Sequence, residues 1–210
     1  MQALTTLANT NIRSQLESGE LGLRVGPYAY NLRSDLPQLE EGLSKLYADF
    51  PAVKADDFID YSVALQRGGA ISRLRRRVHF LFENQGSFAP IPISQAYAFL
   101  EWGMNWCVSV HANEYLKLHA AVVAKNGRAI VMPGVPGAGK STLCAALGLR
   151  GWRILSDEHA LIAPGSASVV PLCRPVSLKN ESIEIIRSFD PGAEFGPVST
   201  DTHKGLSLIH

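Results

Sequence analysis

Leu118-His-Ala-Ala-Val-Val-Ala124, Lys125-Asn-Gly127, Arg128-Ala-Ile-Val-Met132 and Pro133-Gly-Val-Pro-Gly-Ala-Gly-Lys-Ser-Thr-Leu143 follow one another without a break, and their reading decides the fold. The two apolar runs have strand character, and the second, Arg128 to Met132, reads as a buried strand. Asn126-Gly127 between them is the strongest short hairpin signal, because both residues tolerate a positive φ. An antiparallel hairpin therefore feeds the glycine-rich segment directly, whereas common GTPases and many ATPases feed it from a parallel strand. Gly134 to Ser141 matches G-x-x-x-x-G-K-[ST] in full. Gly134, Gly137 and Gly139 let the backbone wrap an anion without Cβ clashes, turning successive N–H groups toward phosphates. Lys140 then reaches the β- and γ-phosphates. The Ser141 hydroxyl ligates Mg²⁺ at the start of a helix read over Ser141 to Arg150. The expected ligand is a nucleoside triphosphate with Mg²⁺, held by Gly134, Val135, Pro136, Gly137, Ala138, Gly139, Lys140, Ser141 and Thr142.

Downstream, Gly151-Trp-Arg-Ile-Leu-Ser-Asp157-Glu158 reads as a short strand ending in two carboxylates, with Asp157 placed 16 residues past Ser141. Leu161 to Ala163 and Ser168 to Leu172 read as a hairpin turning at Pro164-Gly165. Arg174 to Ser182 reads as a polar loop, Glu181 to Ser188 as a short helix, and Lys204 onward as a strand. Upstream, residues 1–18 are polar and weakly patterned, a frayed helix at most. Leu21 to Tyr30 alternates like strand with a Gly26-Pro27 turn inside it. A helix starts near Ser34-Asp-Leu-Pro37, with Leu39, Leu43, Leu46 and Tyr47 at helical spacing. Phe58 to Leu65 reads as strand. Arg77 to Phe82 and Phe88 onward read as a hairpin around Glu83 to Ser87. Gln95 to about Ala112 reads as a helix whose Phe99, Leu100, Trp102, Trp106 and Val108 form the hub of the N-terminal half.

Composition narrows the class. The chain has 210 residues, 46% apolar, with a formal net charge of +1. It can bury a sizeable core, and no whole-protein field argues for nucleic acid or an anionic membrane. The Arg73-Leu-Arg-Arg-Arg77 run reads as a solvated strand edge, and it lacks the interleaved aromatics of a nucleic-acid surface. Cys107, Cys144 and Cys173 lie far apart and read as small buried hydrophobes in a reducing compartment. Neither a secretory leader nor an apolar run approaching the roughly 18 residues that span a bilayer is read, so a cytoplasmic protein is expected.

The hairpin, the GVPGAGKST loop, the helix and the strand ending in acids together resemble the catalytic domain of HPr kinase/phosphorylase, a fold shared with phosphoenolpyruvate carboxykinases. The matching residues are Leu118-His119-Ala-Ala-Val, Gly134 to Thr142, and Arg150 to Glu158. Leu100 to Cys107, Arg174 to Ser182 and Asp201-Thr-His-Lys-Gly205 look closer to the HPr-kinase-related kinases of type A, which are associated with peptide-modification systems. The resemblance implies an α/β fold: a smaller α+β N-terminal region over 1–112, then a P-loop kinase core of the HPr kinase/PEP carboxykinase type over 113–210. It also implies an ATP-dependent kinase acting on a Ser or Thr hydroxyl of a peptide or small protein. By resemblance Asp157 is the catalytic base beside Lys140, Glu158 joins Ser141 at the metal, and His119 tunes Asp157. Where HPr kinases carry two consecutive aspartates the second residue here is Glu158, and their glycine-rich partner-contacting segments are not found. HPr is therefore not the expected acceptor. The 92 residues from His119 to His210 are short for a kinase core of this family, so further elements are expected.

Arg174 and Lys179 are the remaining candidates, as cations for phosphate or acceptor. The partner expected is a peptide or small-protein phosphoacceptor, with no nucleic acid, no membrane, and a homo-oligomer left open. A P-loop ATPase or switch module, with Glu158 activating water, is the first alternative. The chain lacks an N-K-x-D guanine motif and an L-S-G-G-Q signature, which favours the kinase. A small-molecule kinase would use the same residues and stays open.

Overall fold

A computed structural model describes residues 6–54, 56–69, 74, 76–196 and 206–209, which form a mixed α/β chain. Arg73, Arg75 and Asp201 to Gly205, singled out in the sequence, lie outside the described residues. Contacts divide the chain into Met1–Val108 and Ser109–His210. Among the described residues no helix is long and apolar enough to cross a membrane.

In the first unit, helix α1 (Ile12–Ser18) replaces the frayed start expected from sequence. The Asn11 side chain accepts from the Ser14 N–H, and Gly19 closes the helix at φ 79°. Strands β1 (Leu21–Val25) and β2 (Tyr28–Ser34) form the hairpin across Gly26-Pro27. Helix α2 (Pro37–Leu46) then crosses to β3 (Tyr61–Arg67), which pairs parallel with β2. A helical crossover is the connection that parallel neighbours require. The strand expected from Phe58 starts later, at Tyr61, leaving Phe58 81% exposed. Strand β4 (Arg77–Phe82) turns tightly at Glu83-Asn84, both at positive φ, into β5 (Gln85–Gly86), and pairs also with β6 (Ile91–Pro92). The return strand is thus earlier and shorter than the one expected from Phe88. Helix α3 (Ala96–His111) buries Phe99, Leu100 and Val108 but turns Trp102 outward, so Trp102 is no part of the hub. Trp106 meets Phe82 and Phe88 edge-on, with ring centroids 5.5 and 5.2 Å apart.

The second unit is built on β7 (Leu116–Lys125), whose turn at Asn126 (φ 52°) and Gly127 (φ 73°) leads into β8 (Arg128–Pro133). Helix α4 (Lys140–Gly148) follows the glycine loop. Strands β9 (Arg153–Ser156) and β10 (His159–Ile162) both pair antiparallel with β7, β10 along its first half and β9 along its second. They form one bent ribbon, and β11 (Val169–Val170) adds to β10 beyond the Pro164-Gly165 turn. The apolar run in β7 is continuous because both of its faces are covered. Ala121 and Val123 pack with Cys144 and Ala145 of α4, while Ala120 and Val122 pack with Leu155 and Ala160.

Two expectations fail here. Strand β8 is not buried: among the described residues it pairs with β7 alone, which leaves Ile130 45% exposed. Arg174 to Ser182 is not a loop throughout, because β12 (Val176–Lys179) pairs with β13 (Leu206–Ile209). Val176 and Leu178 alternate inward to the α4 core, a period-2 signal masked by the polar residues between them. Helix α5 (Glu181–Phe189) completes this layer through Ile183 and Ile186.

Candidate functional site

One cavity of about 840 Å³ gathers most of the singled-out residues. Its walls are the glycine loop and first turn of α4, the β9–β10 bend with His119, and the segment from Ser177 to Ile185. All belong to the second unit.

The loop is shaped by backbone conformation. Gly137 and Gly139 sit at φ 85° and 83°, the left-handed region that costs other residues most, and Gly139 is the residue on which α4 starts. Gly134 has no positive φ, and a Cβ there would meet Ala138 at an ordinary 3.4 Å. Within the protein itself, therefore, neither backbone conformation nor a close neighbour requires glycine at this position. The Lys140 ammonium donates to the carbonyls of Gly134 (2.8 Å) and Val135 (3.3 Å), which holds the charge across the mouth of the loop. Pro136, Gly137, Gly139, Lys140, Ser141 and Thr142 line the cavity; Gly134, Val135 and Ala138 support them from outside its wall.

The two acids directly follow β9, as expected, and neither is left in open solvent. They lie in the middle of the bent ribbon, where the Ser156 hydroxyl accepts from the N–H groups of Glu158 (3.4 Å) and His159 (3.0 Å) and folds the chain sharply. A break of this kind in a ladder re-aims side chains at a site. Asp157 is 5% exposed. Its Oδ2 accepts from the Ser177 N–H at 2.9 Å, and its Oδ1 is buried without a hydrogen-bond partner. Burial pushes the Asp157 carboxyl up to about 6; the Ser177 N–H and the Ser141 hydroxyl pull it down, Glu158 raises it, and Lys179 lowers it. Glu158 is the more open acid, with its Oε2 3.5 Å from His119 Nδ1. The expected tuning of Asp157 by His119 is thus replaced by a contact with Glu158.

His119 is the register partner of His159, whose Nε2 lies 2.8 Å from Ser109 Oγ. Burial holds His159 below its usual pKa; Glu158 opposes that, while Arg174, His119 and Lys117 add to it. Sequence reasoning missed Ser109 and His159. The pairing of β10 with β7 sets His159 beside His119 of the cavity wall, and Ser109, near the end of α3, meets His159 there. Of the two candidate cations, Lys179 lines the cavity and Arg174 does not. Ser177 and Asn180, in the segment read as a loop, and Glu181, Ser182 and Ile185, in the helix read over Glu181 to Ser188, were not singled out, yet all five line the cavity.

Among the described residues no cluster of three or more His, Cys, Asp or Glu side chains has the form of a metal centre. The donors present are the orphaned Asp157 Oδ1 and the adjacent Ser141 hydroxyl. Such a set suits a hard cation that arrives with its own oxygen-rich ligand and takes one or two protein oxygens.

Residues 101–176 match the model of a family described as SynChlorMet cassette protein ScmC. That match spans the end of α3, the hairpin, the glycine loop, α4 and the acidic bend. No curated protein and no solved structure matches the chain.

Proposed function

We propose that the protein is an ATP-dependent phosphotransferase that moves the γ-phosphoryl group of ATP to a hydroxyl of a peptide or small protein. One observation carries this reading. A single cavity joins Lys140 and Ser141, at the mouth of a loop with left-handed glycines, to a buried carboxyl with an orphaned oxygen and to an open Glu158–His119 pair. The first two serve phosphate and metal, and the pair serves the acceptor. An HPr kinase-like P-loop core of the PEP carboxykinase type fits the antiparallel hairpin that enters the loop. Three cysteines without a disulfide are compatible with a cytoplasmic setting.

The contacts favour exchanging the two acids' roles relative to the sequence reading. Mg²⁺, when bound, would neutralise charge on the β- and γ-phosphates. Asp157 and Ser141 are the residues that fit it. Glu158, open to the cavity and braced by His119, is placed to take the proton of the acceptor hydroxyl as that oxygen attacks phosphorus; ADP then leaves with the β–γ bridging oxygen. Lys140 holds the phosphoryl oxygens in place. Lys179 adds positive charge on the wall opposite the loop.

The test is to incubate the protein with ATP, Mg²⁺ and candidate peptides, then read intact masses. A peptide gaining one phosphate in step with ADP formation is the expected result. Free phosphate with no acceptor modified would move the protein to the ATPase reading, and phosphate on a metabolite alone would make it a small-molecule kinase.

A further inference from the structure

Helix α5 carries two apolar strips, and the core uses only one. Ile183 and Ile186 are buried against α4 and β12. Ile185 and Phe189, four residues apart on another face, are 52% and 39% exposed. Ile185 is also in the cavity wall. A large apolar side chain kept half-open inside a polar cavity calls for an apolar ligand group.

The geometry indicates where that group lies. Thr142 Oγ1 donates to Ser182 Oγ at 2.8 Å, near the N-terminal ends of α4 and α5. The Arg150 guanidinium sits 4.4 Å over the Phe189 ring, near their C-terminal ends. The two helices therefore run side by side in the same direction, and both open their first turns on the cavity. A chain of neighbours leads from His119 and Glu158 through Asp157 and Ser141 to Thr142, across to Ser182, and one turn on to Ile185. Lysine in such a loop takes the β/γ end of a triphosphate, while the loop N–H groups cradle its α/β end. With the acceptor side occupied by Glu158 and His119, the α-phosphate and whatever it bears point toward Thr142 and α5.

We propose that the start of α5 is the nucleoside subsite, with the nucleobase against Ile185 and the ribose toward Asn180, Glu181 and Ser182. The inference rests on the phosphotransferase reading above and adds what that reading leaves open: which wall holds the base. The cavity is large enough for this, since about 840 Å³ lies near the top of the roughly 300–1,000 Å³ typical of small-molecule sites.

The test compares ATP with inorganic tripolyphosphate, which carries the phosphates alone, by calorimetry on the full chain with Mg²⁺. The variants are Ile185→Ala and Ile185→Asp, both at an exposed helix position where folding tolerates change. The expected result is a loss of ATP affinity on the order of tenfold, the scale of one apolar side-chain contact, with tripolyphosphate affinity held within about twofold. Unchanged ATP affinity in both variants, or equal losses for both ligands, overturns the subsite and leaves the phosphate site standing. Failure of the wild-type protein to bind either ligand overturns the underlying reading, and the subsite with it.

Discussion

Between Gly134 and Ser141 the cavity is walled by backbone. Two residues sit at positive φ, and one lysine reaches over carbonyls of its own loop. At Asp157 and Glu158 it is walled by side chains, a buried carboxyl and a more open one, on a bend folded by the Ser156 hydroxyl behind them. The loop needs a fixed spacing along the chain and little else, so its chemistry is local. The bend needs β7 as a partner on both sides, a neighbouring N–H from Ser177, and α4 nearby, so its chemistry is assembled from a distance. Local sites lose function when one residue changes and keep their fold. Assembled sites hold stability and function in tension at the same atoms.

The largest effect expected is on the loop side. Lys140→Ala should lower phosphoryl transfer by on the order of 10³–10⁵, the range for a cation acting on the transferred group. Its melting temperature should stay near wild type, because a half-buried lysine bonded only to carbonyls of its own loop contributes little to the fold. Transfer at the wild-type rate would remove the loop from the mechanism.

On the bend side, Glu158→Gln should lower transfer by roughly 10²–10⁴ with ATP affinity retained, as for a lost general base. Asp157→Asn should instead weaken the Mg²⁺-dependent part of ATP binding. Calorimetry with and without Mg²⁺ on both variants checks this pair, and the opposite pattern would restore the sequence-based assignment of the two acids.

Asp157 also ties the bend to stability. Its carboxyl titrates near 6 when folded and near 4 when unfolded, so the folded state binds the proton more tightly. The contribution of this carboxyl to stability is therefore fullest below about pH 4 and is lost as pH rises through about 6. Asp157→Asn lacks that loss. The ligand-free variant should exceed wild type by on the order of 2–3 kcal/mol at pH 7, with the gap closing toward pH 4. Denaturant titrations at several pH values read it directly, and a gap independent of pH would show that the carboxyl is not strained by burial. The smallest effect is within the loop. Gly137→Ala, at φ 85°, should cost about 1–2 kcal/mol, and Gly134→Ala markedly less. Equal costs would mean that the loop is not held by conformation.

This contrast also explains what could be read in advance. The hairpin at Asn126-Gly127, the glycine loop and the following helix were legible because each is specified within a few residues. The acids were placed at the end of a short strand, where β9 does end, but the continuation of the chain as β10 along β7 was not read. A break inside a ribbon and the end of a strand have the same local sequence, and only the pairing of both β9 and β10 with β7 distinguishes them. Strand β12 was missed for a related reason: Val176 and Leu178 alternate over too short a span to outweigh Ser177, Lys179 and Asn180. The helix that follows it was read correctly over Glu181 to Ser188, but nothing in that short span showed that its first turn faces the cavity. Strand β8 was placed correctly but given the wrong burial, since apolar composition does not reveal which strand lies at a sheet edge.

The divided grip of the ribbon on β7 has a consequence for amide hydrogen exchange. β10 holds residues 116–119 of β7 and β9 holds 122–124, with a register shift at Val122/Val123. Asp157 and Glu158 stand at the joint between two ladders that can open independently, each with its own free energy. In the ligand-free protein the amides of the two halves should exchange at separate rates. Nucleotide and Mg²⁺, by engaging Asp157 against Ser141 on α4, would splice the halves into one cooperative unit and bring those rates together.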